Sequence, residues 1–350
     1  MRRLIGYLQL MRDKLRRNVG VFLFDKKNKD FVNKGVRHVV VMRADAKLGD
    51  SFISSFFFRE IKKIQGVKVT VVTSEQLQSL YKDSFGVDRV VVSEKRSSYS
   101  ELKRVAKEVG SADLFIHLTE RFKLKDMYFL HLLKPRNVAS LDDDIGYVNL
   151  KMKCKTKGVR FSSKYKYILE VLGLEDIDDS YIIPYCSEIE NLNCLNYILL
   201  NPYGSNKNKT LSKVKIVELL KYLSSKYNDK SIFLLYSPNT MADAALSVKS
   251  VSCDNVSLYP GVTDIYDAIQ AVSHADLVIS VDTSIVHIAD GLNKKLVSIY
   301  PQYEDLLFNE WIPRDSSNVS VVYSASYTTD PDMNNFSNEQ IDNAINAVYH

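Results

Sequence analysis

Cysteine is scarce: Cys154, Cys186, Cys194 and Cys253 are the whole complement, with no CxxC pair and no Cys/His ligand spacing. That speaks against a disulfide framework or a zinc site and fits a reducing compartment. Long apolar runs are missing too; none approaches the roughly 18 residues of a spanning helix. The amino terminus does not read as a signal peptide, because the apolar stretch is short, Arg12 ends it, and no small-residue cleavage site follows. No GxGxxG loop occurs, which removes the main support for nicotinamide chemistry, and no Walker A spacing occurs either. A large charge of one sign is absent as well. Lys plus Arg is 47 against 42 for Asp plus Glu, and a net charge of +5 does not call for nucleic acid. The expectation is a soluble cytoplasmic protein.

What is present is ordinary globular material, 45% hydrophobic and 25% charged over 350 residues. At roughly 150 residues per domain this length supports two cores. Short Val/Ile-rich runs alternate with helical patterns, which predicts parallel α/β architecture. Expected strands of the first half are 38–43, 68–73, 89–93, 114–118 and 137–141, with helices at 51–64, 75–85, 99–109 and 124–133. A polar stretch at 175–196 reads as a linker. A second series places strands at 197–202, 231–236, 256–259, 277–281 and 295–300, with helices at 212–227, 241–250, 264–273 and 285–292. One more helix is expected at 337–349. The strands are continuous apolar runs, as when helices cover both faces of a sheet. The expected fold is two doubly wound domains facing a cleft, with ligands at the carboxyl ends of strands.

Three segments follow strands and carry polar chemistry. In the first, Arg43-Ala-Asp-Ala-Lys-Leu-Gly49-Asp50, Gly49 permits a tight turn and Asp50 stands where a helix begins. Asp50 is then either a helix N-cap or a carboxylate exposed as a general base. In the second, Gly204, Ser205, Lys207 and Lys209 form a Gly/Ser loop that either holds anionic oxygens or is simply solvated. In the third, Asp282-Thr283-Ser284 opens a helix that carries His287 one turn on. A helix start offers free amides and the positive end of the dipole, a site suited to phosphate. His287 is either structural or part of that site. Asp142-Asp143-Asp144 reads as a turn or solvated charge run, and no metal is assigned.

These residues resemble the ADP-heptose:lipopolysaccharide heptosyltransferases of glycosyltransferase family nine. The resemblance covers roughly residues 36–313 and is most specific at Asp282-Thr283-Ser284-Ile285-Val286-His287, followed by Ala289, Gly291 and Leu292. It implies a GT-B fold of two Rossmann-like domains. The division expected is 1–35 as a basic extension, 36–185 for acceptor, 186–336 for nucleotide-sugar, and 337–350 as a helix crossing back to the first domain. It implies inverting transfer of heptose from ADP-heptose to a hydroxyl of the lipopolysaccharide core, with no cofactor beyond the nucleotide-sugar and no metal. Asp50 matches the proposed base. Ser205 and Lys209 match contacts to the donor diphosphate, Asp282 the contact to the donor sugar, and Thr283 and Ser284 phosphate positions; Thr263 aligns with the adenine site. The chain departs from the family at Ser284, where Gly is frequent, at Leu211, where an aromatic is common, and at 236–243, which lacks a ribose-holding Glu unless Asp243 substitutes. A transferase with another donor and a non-catalytic sugar-binding scaffold are the alternatives.

Basic residues complete the reading. Arg59, Lys62, Lys63 and Arg121 are weak candidates for an acidic or phosphorylated acceptor. Residues 1–37 hold eleven Lys/Arg and three Asp, so 11 − 3 = +8, leaving −3 for the remainder. Within them Leu4, Leu8, Met11 and Leu15 share one helical stripe among cations. That stripe either packs on the protein body or lies on anionic lipid of the inner membrane's cytoplasmic face. Oligomeric state is not legible.

Overall fold

The computed structural model describes residues 2–45, 47–184, 196–302, 310–325 and 332–349. The chain divides into two compact units, Met1–Asp179 and Ser180–His350. Cys186 and Cys194 lie outside the described residues.

The first unit is built on β1 (His38–Arg43), β2 (Lys68–Thr73), β3 (Arg89–Val92), β4 (Leu114–Ile116), β5 (Asn137–Ser140) and β6 (Leu150–Lys151), all parallel, in the order β3-β2-β1-β4-β5-β6. The second repeats that order with β7 (Tyr197–Asn201), β8 (Ser231–Leu234), β9 (Val256–Leu258), β10 (Leu277–Val281), β11 (Lys295–Pro301) and β12 (Val319–Ser324), arranged β9-β8-β7-β10-β11-β12. Val39, Val40 and Val41 are fully buried, as are Leu277, Val278 and Ile279, because both faces of each sheet are covered. The strand order reverses between β1 and β4 and again between β7 and β10. Such a reversal opens a crevice beyond the strands' carboxyl ends.

The helices α1 (Arg2–Phe24), α4 (Tyr99–Val109), α5 (Leu124–Leu133), α7 (Lys213–Lys226), α8 (Met241–Val251), α9 (Ile265–His274) and α10 (Ser284–Gly291) stand where helical patterning places them. The helix expected at 51–64 is instead two short ones, α2 (Leu48–Ile53) and α3 (Ser55–Glu60), with a final turn at Ile61–Lys63. The hydroxyl of Ser54 donates back to the carbonyls of Asp50 and Ser51, and such back-bonding bends a helix. The helix expected at 75–85 becomes two turns, the second wide, which turns Leu80, Tyr81 and Phe85 all inward. Sequence reading missed β6, β12 and α6 (Phe161–Val171). The last helix, α11 (Asn338–Tyr349), packs on β11 and β12 of its own unit. The expected crossing to the first unit is thereby corrected. Ile341, Ala344, Ile345 and Val348 are its buried face, and they find cover on the nearest sheet edge.

Asp142 belongs to this framework. Its carboxylate accepts two bonds from Arg17, at 2.6 and 3.0 Å, and one from the Phe122 amide at 2.6 Å. Arg17→Ala is expected to cost about 2 kcal/mol, measurable by urea unfolding, because it strips a charged partner from a buried carboxylate.

Candidate functional site

Each sheet gathers polar side chains at its switch point. In the first unit these are Arg43, at the end of β1, and Asp45, Lys47 and Asp50 beyond it. Asp50 is not an N-cap: Lys47 holds that position, and Asp50 is the third residue of α2. Gly49 lies inside the same turn, so the tight turn expected there is a helix start instead. The Asp50 Oδ2 stands 3.3 Å from Arg43 Nη2 and 3.9 Å from Lys47 Nζ. Burial pushes the Asp50 carboxyl above its ordinary value, and the attraction of Arg43 and Lys47 only partly offsets this. A carboxylate so placed has a raised affinity for a proton, which is what a general base uses.

Arg43 is itself buried, and its Nε and Nη2 make no hydrogen bond of good geometry. Buried donors left this way are uncommon and costly, so they mark a place where polar atoms of a ligand would be favoured. The sequence reading also missed His117, just beyond β4 and therefore across the switch point from β1. Burial lowers its pKa and keeps the imidazole neutral, against the opposing pull of Asp126 and Asp45. Only the strand order, which no local pattern contains, brings it beside the β1 loop.

The four basic candidates separate. Helical rise of about 1.5 Å per residue carries Arg59, Lys62 and Lys63 roughly 14–20 Å along the chain from Asp50. There they serve the fold. Arg59 bonds the Asp178 carbonyl and carboxylate, Lys62 bonds the Gly86 carbonyl, and Lys63 pairs with Glu60 and the Asp176 carbonyl. Only Arg121 stays on the switch-point side, exposed on the loop after β4.

In the second unit Lys209, on the loop after β7, pairs with Asp282, on the loop after β10, at 2.5 Å. Asp282 is nearly buried while a fraction of Lys209 remains open to solvent. Asn201, missed in the sequence, ends β7 and donates to the hydroxyls of both Ser280 and Thr283 at 3.0 Å. Thr283 is the N-cap of α10 and accepts from the Ile285 amide. Ser284 is the first residue of that helix, in ordinary backbone geometry, so glycine is not required there. His287 is buried on the next turn, its ring edge-on to Tyr181. Burial holds it neutral, and its Nδ1 has no hydrogen-bond partner among the described residues.

Gly204 is fixed by space: a Cβ there would lie 2.1 Å from the Lys209 carbonyl oxygen. Gly204→Ala must push the Lys209 loop away, and a loss of about 1–3 kcal/mol in a thermal or urea melt is expected. Ser205 is exposed at the loop's outer side. Thr263 is exposed too, and its amide and hydroxyl both donate to Asp267 at 2.7 and 2.6 Å, completing the cap of α9. Asp243 is exposed in the first turn of α8, and Leu211 is buried. Among the described residues no group of three His, Cys, Asp or Glu side chains is placed to hold a metal.

Residues 187–334 match the model of Glycosyltransferase family 9 (heptosyltransferase). The chain is a heptosyltransferase-like, family 9-type glycosyltransferase. This family 9-type chain is 23% identical over 349 residues to the Escherichia coli (strain K12) protein described as "Putative lipopolysaccharide heptosyltransferase 4", covering 90% of each. Its fold is similar to that of the family 9 glycosyltransferase from Veillonella parvula DSM 2008, with a TM-score of 0.70, 18% identity, and 92% and 99% of the two chains covered. It is similar also to the E. coli heptosyltransferase WaaC with ADP, with a TM-score of 0.65, 13% identity, and 89% and 100% covered. The fold of this chain is of the GT-B kind.

Proposed function

We propose that the chain moves heptose from ADP-heptose to a hydroxyl of the lipopolysaccharide core, with inversion at the anomeric carbon. The observation that carries this reading is the Lys209–Asp282 pair set against the capped start of α10. It puts a cation and a helix's positive end at one switch point, where the diphosphate of a nucleotide-sugar would be held. The solved heptosyltransferase containing ADP supports an adenine nucleotide as donor.

In this mechanism Asp50 takes the proton from the acceptor hydroxyl while that oxygen bonds to the anomeric carbon. The bond from that carbon to the diphosphate breaks, and its electron pair leaves with ADP. Lys209, the hydroxyls of Thr283 and Ser284, and the α10 dipole stabilise the charge that develops, without a metal. Asp282 orients the donor sugar, His287 lies behind it, and Ser205 and Thr263 supply outer contacts to the diphosphate and adenine. Arg121 is the basic candidate retained for an anionic group on the acceptor. Arg43 positions the Asp50 carboxylate through the 3.3 Å contact. A lipid-held acceptor sets the reaction at the cytoplasmic face of the inner membrane.

A thermal-shift panel with ADP, ADP-heptose, UDP, GDP and CDP tests the donor. A ligand at a hundred times its Kd adds about 2.7 kcal/mol to stability, well within reach of the method. Selective stabilisation by ADP and ADP-heptose is expected. A preference for another nucleotide, which Ser284 and the missing ribose glutamate would accommodate, replaces the donor. Silence toward all of them favours the non-catalytic scaffold.

A further inference from the structure

Helix α1 has two faces, and the structure uses only one of them. Its carboxyl-terminal half lies on α5. Gly20 is the close approach, since a Cβ there would stand 2.4 Å from the Met127 methyl and 3.1 Å from the Leu124 Cα. Phe24 packs edge-on to Tyr128, and Arg17 reaches down to Asp142. At about 100° per residue, Arg17, Gly20 and Phe24 share one side of the helix. Leu8, Met11, Leu15, Val19 and Phe22 fall within about 80° of one another on the opposite side. They are open to solvent: Leu8 is 56% exposed, Met11 54%, Leu15 65% and Phe22 87%.

The packing face is therefore not the apolar stripe. Of the two uses open to that stripe in the sequence, cover by the protein body is removed. Tyr7 and Leu10 are exposed as well, so the first half of α1 is apolar and without packed cover among the described residues. A contiguous exposed stripe of this kind marks an interaction surface.

The cations decide what that surface meets. Arg12 and Arg16 border the stripe on one side and Lys14 on the other, all exposed, with Asp13 the one acid among them. A second copy would bring the same cations against the first. An anionic bilayer supplies both the hydrocarbon boundary for the stripe and the headgroups for its borders. We infer that α1 is an interfacial helix that holds the first unit on anionic lipid through Leu8, Met11, Leu15, Val19 and Phe22. Arg17 and Gly20 fix the helix to the unit from behind, so the stripe is carried as part of a rigid surface. No helix among the described residues is long and apolar enough to cross a membrane, and this contact needs none.

The test is co-sedimentation of the full chain with vesicles of phosphatidylglycerol and phosphatidylethanolamine, and with vesicles of phosphatidylcholine alone. The chain is expected to sediment with the first, weakly with the second, and to be released by high salt as the headgroup attraction is screened. The triple variant Leu8→Glu, Met11→Glu, Leu15→Glu should lower partitioning about a hundredfold or more, since three apolar side chains leave the interface. Its melting temperature should stay unchanged, because the substitutions avoid the packed face. Lys14→Glu with Arg16→Glu should weaken binding to the anionic vesicles only. Equal sedimentation of wild type and triple variant overturns the inference, and so does an absence of binding by the wild type. A lipid-free dimer that the triple variant dissolves, without vesicle binding, would assign the stripe to a second copy instead. None of these readouts uses a sugar substrate, so they stand or fall apart from the transferase reading.

Discussion

Asp50→Asn is expected to lower turnover by about a hundred- to ten-thousandfold, the range lost when a general base is removed. The amide keeps the shape of the carboxyl and cannot accept the acceptor's proton. Little change in melting temperature is expected, because two effects oppose. A carboxylate that burial penalises is removed, and Arg43 loses one of its two acidic neighbours. Circular dichroism and a melt beside the heptose-transfer assay check this. Near-wild-type turnover would remove Asp50 from the mechanism.

The same residue fixes the acid limb of the pH–rate profile. Burial raises the Asp50 pKa, and Arg43 pulls it back. A base works deprotonated, so the rate should climb as pH rises through that pKa, above the usual range for an aspartate. Arg43→Gln removes the opposing pull and should move the limb to higher pH, an effect that a merely structural arginine would not produce. The stability sign is the reverse of the activity sign. With the folded pKa raised, the folded state holds its proton more tightly. The stability contributed by protonated Asp50 is present below the unfolded pKa and lost as pH rises through the folded one.

Lys209→Ala carries the second large effect. Loss of one preorganised donor to a developing charge costs on the order of a hundred- to a thousandfold in rate. The thermal shift given by ADP should be abolished or nearly so. The variant also leaves Asp282, whose side chain is only 8% exposed, without the cation 2.5 Å away. Some loss of unliganded stability is therefore expected, and Lys209→Arg, which keeps the charge, should restore most of it. An undiminished ADP shift in Lys209→Ala would place the nucleotide elsewhere.

Much of this molecule is legible along the chain. β10 and both of its flanks, Asp282-Thr283-Ser284 and the helix carrying His287, were readable because a buried parallel strand is a continuous apolar run and a capped helix start has a local signature. The misses have physical causes of their own. α6 mixes Lys164 and Lys166 with its apolar residues and was not counted as a helix. The bend at Ser54 depends on a hydroxyl turning back to the backbone, which a window of hydrophobicity does not register. Leu80, Tyr81 and Phe85 are helix-compatible, yet all three are buried by a wide turn whose geometry is set by the core around it.

The sequence by itself determined the fold class, the positions of most strands, the cation-rich amino terminus, and the segments that carry Asp50, Lys209 and Asp282. These rest on periodicity, local turn chemistry and residue type, all properties of neighbours in the chain. Only the tertiary structure decided which of those segments meet. The order β3-β2-β1-β4-β5-β6, repeated in the second sheet, sets His117 across from Arg43 and Lys209 against Asp282, and it takes Arg59, Lys62 and Lys63 out of the site. It also decided which face of α1 is covered, because that depends on α5, about a hundred residues away, offering Gly20 a place to sit. Contacts between distant segments are fixed by packing and strand order, and neither leaves a mark on the local sequence.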